Sequence, residues 1–476
     1  MLDTILDNFA THVKEKIAKL TNELKKTYDF QTVEDAVSEL VDDVATDILH
    51  ACLTEVLEDQ EVLSVLKEVG PHQGMKFHGF RTISVYVYTG QRVKIRSPWF
   101  VSTQKKRGRK KAGPNGRGSH VGLELLGFLG RGSGKFVSWV VKMAVLVPSY
   151  EIAREVLLDR GIRLAVNTIR RFCRELGRLG IARRGEVSLD GSENLAGATL
   201  VIEVDGGRLR LRRKKRGRKK RQQQRQGYKT NWKEPKLFTM YLTDAQGQIM
   251  KEFAPLHDAT TGDDDDVFDL MALYLNQLDL SALERVVVCG DGARWIWLRV
   301  EALLKNRGVA PENLYQVVDY THAKQNLHEI VELVPAKKQK RIMKTWKSFL
   351  FKGDISGLGN SIRSVLRGKH LEEGLKKWED YFVRNAHRMQ YQDFQQQHLP
   401  CGSGHVESAI RRVINLRLKA PGTFWTREMA EYFLFLRSQL LSGRWKTFMN
   451  NVKRRLVSVV EDVMYAHSGI EPLTSL

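Results

Sequence analysis

Cysteine is scarce in this 476-residue chain: Cys52, Cys173, Cys289 and Cys401 stand far apart, and no C-x-x-C pair occurs. That spacing argues against a zinc ribbon and a dithiol redox pair and suits a reducing compartment. Long apolar runs are missing too. The most apolar stretch, Phe136 to Val147, is interrupted by Ser138 and Lys142, well short of the roughly 20 residues a membrane span needs. The first residues, Met-Leu-Asp-Thr-Ile-Leu-Asp, lack the basic head and apolar body of a signal peptide. These absences lead us to expect a cytoplasmic protein with no membrane role.

Acidic residues are outnumbered, 55 Asp and Glu against 77 Lys and Arg, for a net charge of +22. An excess of this size points to a polyanionic partner, nucleic acid above all. The length suggests about three folded units. The charge is uneven: residues 1–71 carry 6 lysines against 16 acidic residues, a local −10, which leaves +32 for the remainder. In that acidic segment Leu2, Ile5, Leu6, Phe9, Val13 and Ile17, and later Val33, Val37, Leu40, Val41, Val44 and Ile48, recur at helical spacing. A helical domain is expected over 1–71, either a packing cap or a self-association surface.

Over 72–135 the pattern becomes a β-hairpin and a basic linker. Thr82 to Tyr88 alternates, Thr89-Gly90 turns, and Arg92 to Arg96 alternates again with a basic face. Lys105-Lys106-Arg107-Gly108-Arg109-Lys110-Lys111 is too charged to bury and is expected to meet phosphate. The glycine-rich Gly130-Arg-Gly-Ser-Gly-Lys135 has the wrong spacing for a phosphate-binding loop, and Lys135 is followed by Phe136. Over 136–180 three helices are readable: Phe136 to Val147, Ser149 to Asp159 with Ser149 as cap, and Asn167 to Leu176 after a break at Gly161. The last two form a candidate helix-turn-helix whose basic second helix carries Arg170, Arg171 and Arg174.

After Gly197 the pattern is α/β. Strands are expected at Thr199–Val204, Lys236–Leu242, Ile249–Ala254, Arg285–Gly290 and Leu314–Val318, with helices at Val267–Leu278 and Trp295–Lys305. This is the element order of an RNase H-like core. Three of the strands end in carboxylates: Asp205 before Gly206-Gly207, Asp291 before Gly292, and Asp319 three residues before His322. One strand-end aspartate is usually a turn residue or cap. Paired carboxylates on a positive surface are what magnesium requires, since it takes a few carboxylates together with water and phosphate oxygens. A third carboxylate is available in Glu407, in the first turn of a helix starting near His405, where it either joins a metal site or pairs with Arg411. The acidic run Asp263 to Asp266 reads as a helix start, and His257 and Asp258 have no assignment.

These motifs, Val204-Asp-Gly-Gly, Gly290-Asp-Gly-Ala-Arg-Trp-Ile-Trp, Asp319-x-x-His322 and Gly402-Ser-Gly-His-Val-Glu-Ser408, with Arg417-Leu-Lys-Ala-Pro-Gly and Trp425 downstream, together resemble DDE transposases of bacterial insertion sequences. The similarity is to the Kra-type and Lre-type, Mutator-like elements, and covers about 200–444. The resemblance implies an RNase H-like core in which Asp205, Asp291 and Glu407 hold two Mg2+ or Mn2+ ions, with Asp319 and His322 as structural support. Asp319 is the rival for the second ligand. The cysteine pairs that family members often carry before the core are absent near 100–104, so no zinc is expected.

The expected architecture is an α+β multidomain chain. An acidic helical domain (1–71), hairpin and linker (72–135) and helix-turn-helix (136–180) precede a first core part (198–322), a helical insertion (323–400), a second core part with Glu407 (401–445) and a C-terminal helix and tail (446–476). The expected function is metal-dependent DNA cleavage and strand transfer, with terminal inverted repeats and target DNA as partners and a homo-oligomer assembled on DNA. The run Arg208 to Arg221, including Arg212, Arg213, Lys214, Lys215 and Arg216, is expected to be a flexible loop over DNA phosphate. The rival readings are an element-derived DNA-binding protein without catalysis, and a plain nuclease or resolvase.

Overall fold

The structure, a computed structural model, describes residues 2–72, 74–102, 118–187, 189, 195–215 and 227–453. Lys105, Lys106, Arg107, Arg109 and Arg216 lie outside the described residues, as does the tail after 453. The fold is mixed α+β, and it divides into two units, 1–179 with 449–476, and 180–448.

In the first unit, α1 (Leu2–Thr27), α2 (Phe30–Glu58) and α3 (Gln60–His72) form the expected acidic helical segment. Asp29 caps α2 by accepting from the Thr32 amide. β1 (Met75–Tyr86) and β2 (Arg92–Ser102) make the expected hairpin, with Tyr86 opposite Arg92, and β3 (Gly118–Ser119) pairs with β2. The alternation works as read: Val93 and Ile95 are buried while Arg92, Lys94 and Arg96 remain exposed. Leu57 of α2 joins Val85, Val87, Val93 and Ile95 in one apolar cluster, and Thr46 Oγ1 lies 2.7 Å from Thr89 Oγ1. The acidic helices therefore pack on the hairpin. α4 (Val121–Leu125), α5 (Gly134–Leu146), α6 (Tyr150–Leu158) and α7 (Val166–Ile181) follow. Ser149 caps α6, accepting from the Ile152 amide at 3.1 Å, and Gly161 takes φ +73° in the turn before α7.

The second unit is built on a five-stranded mixed sheet. β4 (Thr199–Gly206) is its centre; β5 (Leu209–Lys214) and β6 (Tyr228–Lys233) form a separate two-stranded ribbon; β7 (Lys236–Thr243) and β8 (Leu256–Thr260) return to the sheet. α8 (Asp264–Leu275), β9 (Arg285–Gly290), α9 (Arg294–Lys305) and β10 (Leu314–Val318) complete it. The order is β10-β9-β4-β7-β8, with β4 antiparallel to β7, β7 antiparallel to β8, and β4, β9 and β10 mutually parallel.

Two expectations fail. The third strand is Leu256–Thr260, not Ile249–Ala254, which contributes only an isolated bridge from Ile249 to Thr243. Its polar residues hid it: Asp258 is fully buried yet receives Arg184 Nη2 at 3.3 Å, Tyr274 Oη at 2.6 Å and the Ala259 amide at 2.8 Å. Of the expected loop Arg208 to Arg221, Leu209 to Lys214 is instead a strand, since β5 pairs with β6 along its whole length, and 216–221 lie outside the described residues. The acidic run starts α8 as read, with Asp263 and Asp266 in a reciprocal capping box.

The insertion is helical: α10 (Tyr320–Val331), α11 (Ala336–Phe351), α12 (Ile355–Val365), α13 (Gly368–Lys377) and α14 (Tyr391–Gln396). It shares one continuous apolar core with the sheet. Trp346 is fully buried and its indole N–H donates to Ser361 Oγ at 2.9 Å. Two tyrosines tie the insertion to the strand ends: Tyr381 donates to the Asp291 carbonyl at 3.0 Å and Tyr391 to the Val318 carbonyl at 2.9 Å. The chain then forms α15 (Gly404–Ala409), a π turn over Ile410–Asn415, and α16 (Arg427–Leu441). No helix among the described residues is long and apolar enough to cross a membrane.

Candidate functional site

The parallel pairing of three neighbours, β4, β9 and β10, ends level across all three. Val204 pairs with Gly290, and Gly290 with Val318, so Asp205, Asp291 and Asp319 are the next residues on three adjacent strands. Adjacent strands lie about 4.8 Å apart, so this register gathers the aspartates at one edge. Gly292 follows with φ +91°, and an added Cβ there would meet the Tyr381 ring at 2.9 Å. The turn after Asp291 therefore needs glycine both for its backbone and for the tyrosine that braces it.

The three aspartates differ in environment. Asp319 is buried, at 1% exposure, and caps α10: Oδ1 accepts from the His322 amide at 2.7 Å, and Oδ2 from the Ser403 amide at 2.5 Å and hydroxyl at 2.7 Å. Burial alone would raise its pKa, but the hydrogen bonds from His322 and Ser403 prevail and hold the carboxyl well below the usual range. His322 Nδ1 stands 3.2 Å from Asp319 Oδ1, and that carboxylate raises the imidazole above its ordinary value. Asp291 is half-buried and accepts from the Ala293 amide at 2.9 Å.

Asp205 behaves oppositely to Asp319. Burial pushes it up to about 6, the Gly206 amide and His322 pull it down, and Asp291 and Glu407 push it up again. Asp205 therefore feels the charges of His322, Asp291 and Glu407. Glu407 itself comes from α15 far along the chain, and its carboxylate, a His322 ring nitrogen and an Asp319 carboxylate oxygen all lie within 4.8 Å of one another. Among the described residues this is the tightest group of potential ligand atoms, and it differs from the set expected from sequence by holding Asp319 and His322 in place of Asp205 and Asp291. Both Asp319 oxygens accept hydrogen bonds, whereas Asp205 and Asp291 each accept one backbone amide on Oδ1, from Gly206 at 2.6 Å and from Ala293 at 2.9 Å.

Sequence reading missed Glu203. It lies two residues before Asp205, on the same face of β4, and is fully buried. Its carboxylate accepts from Tyr241 Oη at 2.8 Å and the Val406 amide at 2.7 Å, with His405 Nδ1 at 3.3 Å. Glu203 thus fastens α15, and with it Glu407, to the central strand. The available signal was a glutamate inside the apolar run Leu200-Val-Ile-Glu-Val204.

Of the expected DNA contacts, Arg212, Arg213 and Lys214 stand on β5 and Lys215 follows it. On α7, Ile169, Phe172, Cys173 and Leu176 are buried, while Asn167, Arg171, Arg174 and Arg178 are exposed at i, i+4, i+7 and i+11. Arg170 is half-buried beside that stripe.

No protein-family model matches this chain, and the search of curated proteins finds no match.

The Asp205 environment gives a testable pH dependence. Its folded pKa of about 6 lies above the ordinary value of 3.8, so ionisation costs folding stability as pH rises through that interval, and the cost is complete above about 6. In chelator-treated protein, Asp205→Asn is expected to stabilise the fold by up to about 3 kcal/mol at pH 8 and hardly at all at pH 4. Urea unfolding at both pH values measures it; an equal effect at the two would count against a raised Asp205.

Proposed function

We propose that this chain is a DDE transposase: a DNA-binding enzyme with an RNase H-like core that cuts DNA and joins the freed 3′ end to a target. The observation that carries the reading is the placement of Asp205 and Asp291 at the tips of neighbouring parallel strands, where the charges of Asp291 and of Glu407, from α15, both raise the Asp205 carboxyl. The sheet supports it. Numbered within the sheet, the strands run 3-2-1-4-5 with the first three antiparallel and the last two parallel to the first, the arrangement of an RNase H-like core.

The donor set fits divalent cations. Asp205 and Asp291 stand at adjacent strand tips, and Asp205 is raised partly by the charges of Asp291 and Glu407, a repulsion that a cation would relieve. Asp205, Asp291 and Glu407 would hold magnesium or manganese there, and a pair of such ions supplies Lewis acidity to the attacking and leaving oxygens of an in-line displacement at phosphorus. The protein's own residues do the rest. Glu203 and Asp319 fix the helices that carry Glu407 and His322, and Asp319 shifts the His322 imidazole upward, which favours its protonated form. No nucleophilic side chain is needed for this transfer.

The decisive assay incubates the protein with magnesium, DNA flanking its gene and a supercoiled target. Joined products support the proposal. Cleavage without joining favours a nuclease or resolvase, and binding without either favours a non-catalytic DNA-binding protein.

In the same reading α7 reads the element end. Replacing Arg171 and Arg174 by alanine is expected to cost about 1–3 kcal/mol on the end sequence for each arginine that bonds a base edge and much less on random DNA. Gel-shift titration on both DNAs decides; equal weakening would make these residues phosphate contacts.

A further inference from the structure

The strand that carries Asp205 leaves the sheet through Gly206 and Gly207 and continues directly into the ribbon of β5 and β6. Its register sets Arg210 opposite Trp232, Arg212 opposite Thr230 and Lys214 opposite Tyr228, which places all six on one face. On that face three cations line β5, and Trp232 and Tyr228 flank Thr230 on β6. Arg210 lies 5.5 Å from the Trp232 ring centre and 4.8 Å from that of Phe424; Arg208 lies 5.2 Å from Trp232, and Arg212 6.0 Å from Tyr228. The Tyr228 and Phe424 rings are 5.5 Å apart.

The face is held firmly yet left open. The free edge of β5 bonds to the segment before α16: the Arg212 amide donates to the Trp425 carbonyl at 2.8 Å and the Trp425 amide to the Arg210 carbonyl at 3.0 Å. Trp425 is itself buried, with its indole N–H on the Leu418 carbonyl at 3.0 Å. β6, in contrast, is exposed over five of its six residues, with Trp232 at 53% and Tyr228 at 44% exposure. Neither β5 nor β6 contains an acidic residue, while together they hold Arg210, Arg212, Arg213, Lys214, Lys229 and Lys233. Flat apolar rings among cations, with no anion between them, match a polyanion that also presents flat apolar faces. Unpaired nucleic-acid bases have that chemistry, whereas the bases of a duplex are already stacked on one another.

We infer that the β5–β6 ribbon is a stacking platform for the unpaired bases of single-stranded DNA, with Trp232 and Tyr228 as the stacking rings and the flanking arginines on the phosphates. The choice of DNA rests on the transposase reading; the stacking does not. The location suits it, because the ribbon springs from the strand bearing Asp205 and is pinned to the segment that follows the Glu407 helix, so a strand held there lies near the carboxylate edge.

The test uses the full chain without divalent metal and an oligodeoxynucleotide of arbitrary sequence, roughly 16 nucleotides long, single-stranded or annealed to its complement. Fluorescence anisotropy is expected to show that Trp232→Ala with Tyr228→Ala weakens single-strand binding by about tenfold or more while duplex binding changes little, and that Trp232→Phe retains most of the single-strand affinity. Irradiating the wild-type complex with an iodouracil-substituted strand is expected to cross-link Trp232 or Tyr228. Equal losses on both DNA forms, no loss on either, or cross-links only elsewhere would overturn the inference. Because neither metal nor an element end is present, the result does not depend on whether Asp205, Asp291 and Glu407 cut DNA.

Discussion

Alanine at Asp205, Asp291 or Glu407 is expected to lower magnesium-dependent DNA cleavage by roughly 10³-fold or more, the scale of several kcal/mol of lost charge stabilisation in the transition state. End binding should stay close to wild type, because none of the three stands on α7 or on the ribbon. Single-turnover cleavage and gel-shift titration on the same preparations separate the two effects. Asp319→Ala gives a different outcome. It removes the cap of α10 and the partner of Ser403, so thermal stability should fall together with activity. A stable, inactive Asp319→Ala beside an active Asp291→Ala would transfer the ligand role to Asp319.

The second large effect concerns stability. Arg184→Ala leaves the Asp258 carboxylate at full burial with only Tyr274 and the Ala259 amide for partners, and is expected to cost about 3–5 kcal/mol near neutral pH. Burial raises the Asp258 pKa and Arg184 opposes that rise, so removing Arg184 raises the folded pKa further. The penalty is therefore present above the unfolded pKa and disappears as pH falls below it. Replacing Arg184, Asp258 and Tyr274 together by Met, Leu and Phe removes every charge and hydroxyl of the group, and should recover much of the stability. Urea unfolding across pH measures both variants; a penalty that persists in acid would mean that Arg184 acts through its hydrogen bond to the Ala259 carbonyl at 3.0 Å or through packing, including its place 5.2 Å from the Phe435 ring centre.

Much of the candidate site was legible because it depends on local rules. An apolar β-rich run that stops at Asp-Gly marks a strand end with a carboxylate at its tip, and this held for Asp205 and Asp291. Ser149 before a periodic segment marked a cap, and Thr89-Gly90 between alternating runs marked the hairpin turn. Each signal lies within a few residues of the structure it specifies.

What tertiary structure alone decided involves partners far apart in sequence. A buried carboxylate is tolerated only when distant groups satisfy it, so β8 was hidden by Asp258 until Arg184 and Tyr274 were seen beside it. Glu203 looked like an interruption of an apolar strand until the Val406 amide, 203 residues away, arrived to bond it. Leu209 to Lys214 looked too charged to be ordered, yet its pairing with β6 and its bonds to Trp425 make it a ribbon. The sequence by itself determined the helices, the hairpin and the strand-tip aspartates, since backbone preference and apolar period are local properties. Only the folded chain decided which carboxylates are buried and satisfied, because that depends on long-range hydrogen bonds such as those from Ser403 to Asp319 and from Val406 to Glu203, which no local stretch of sequence contains.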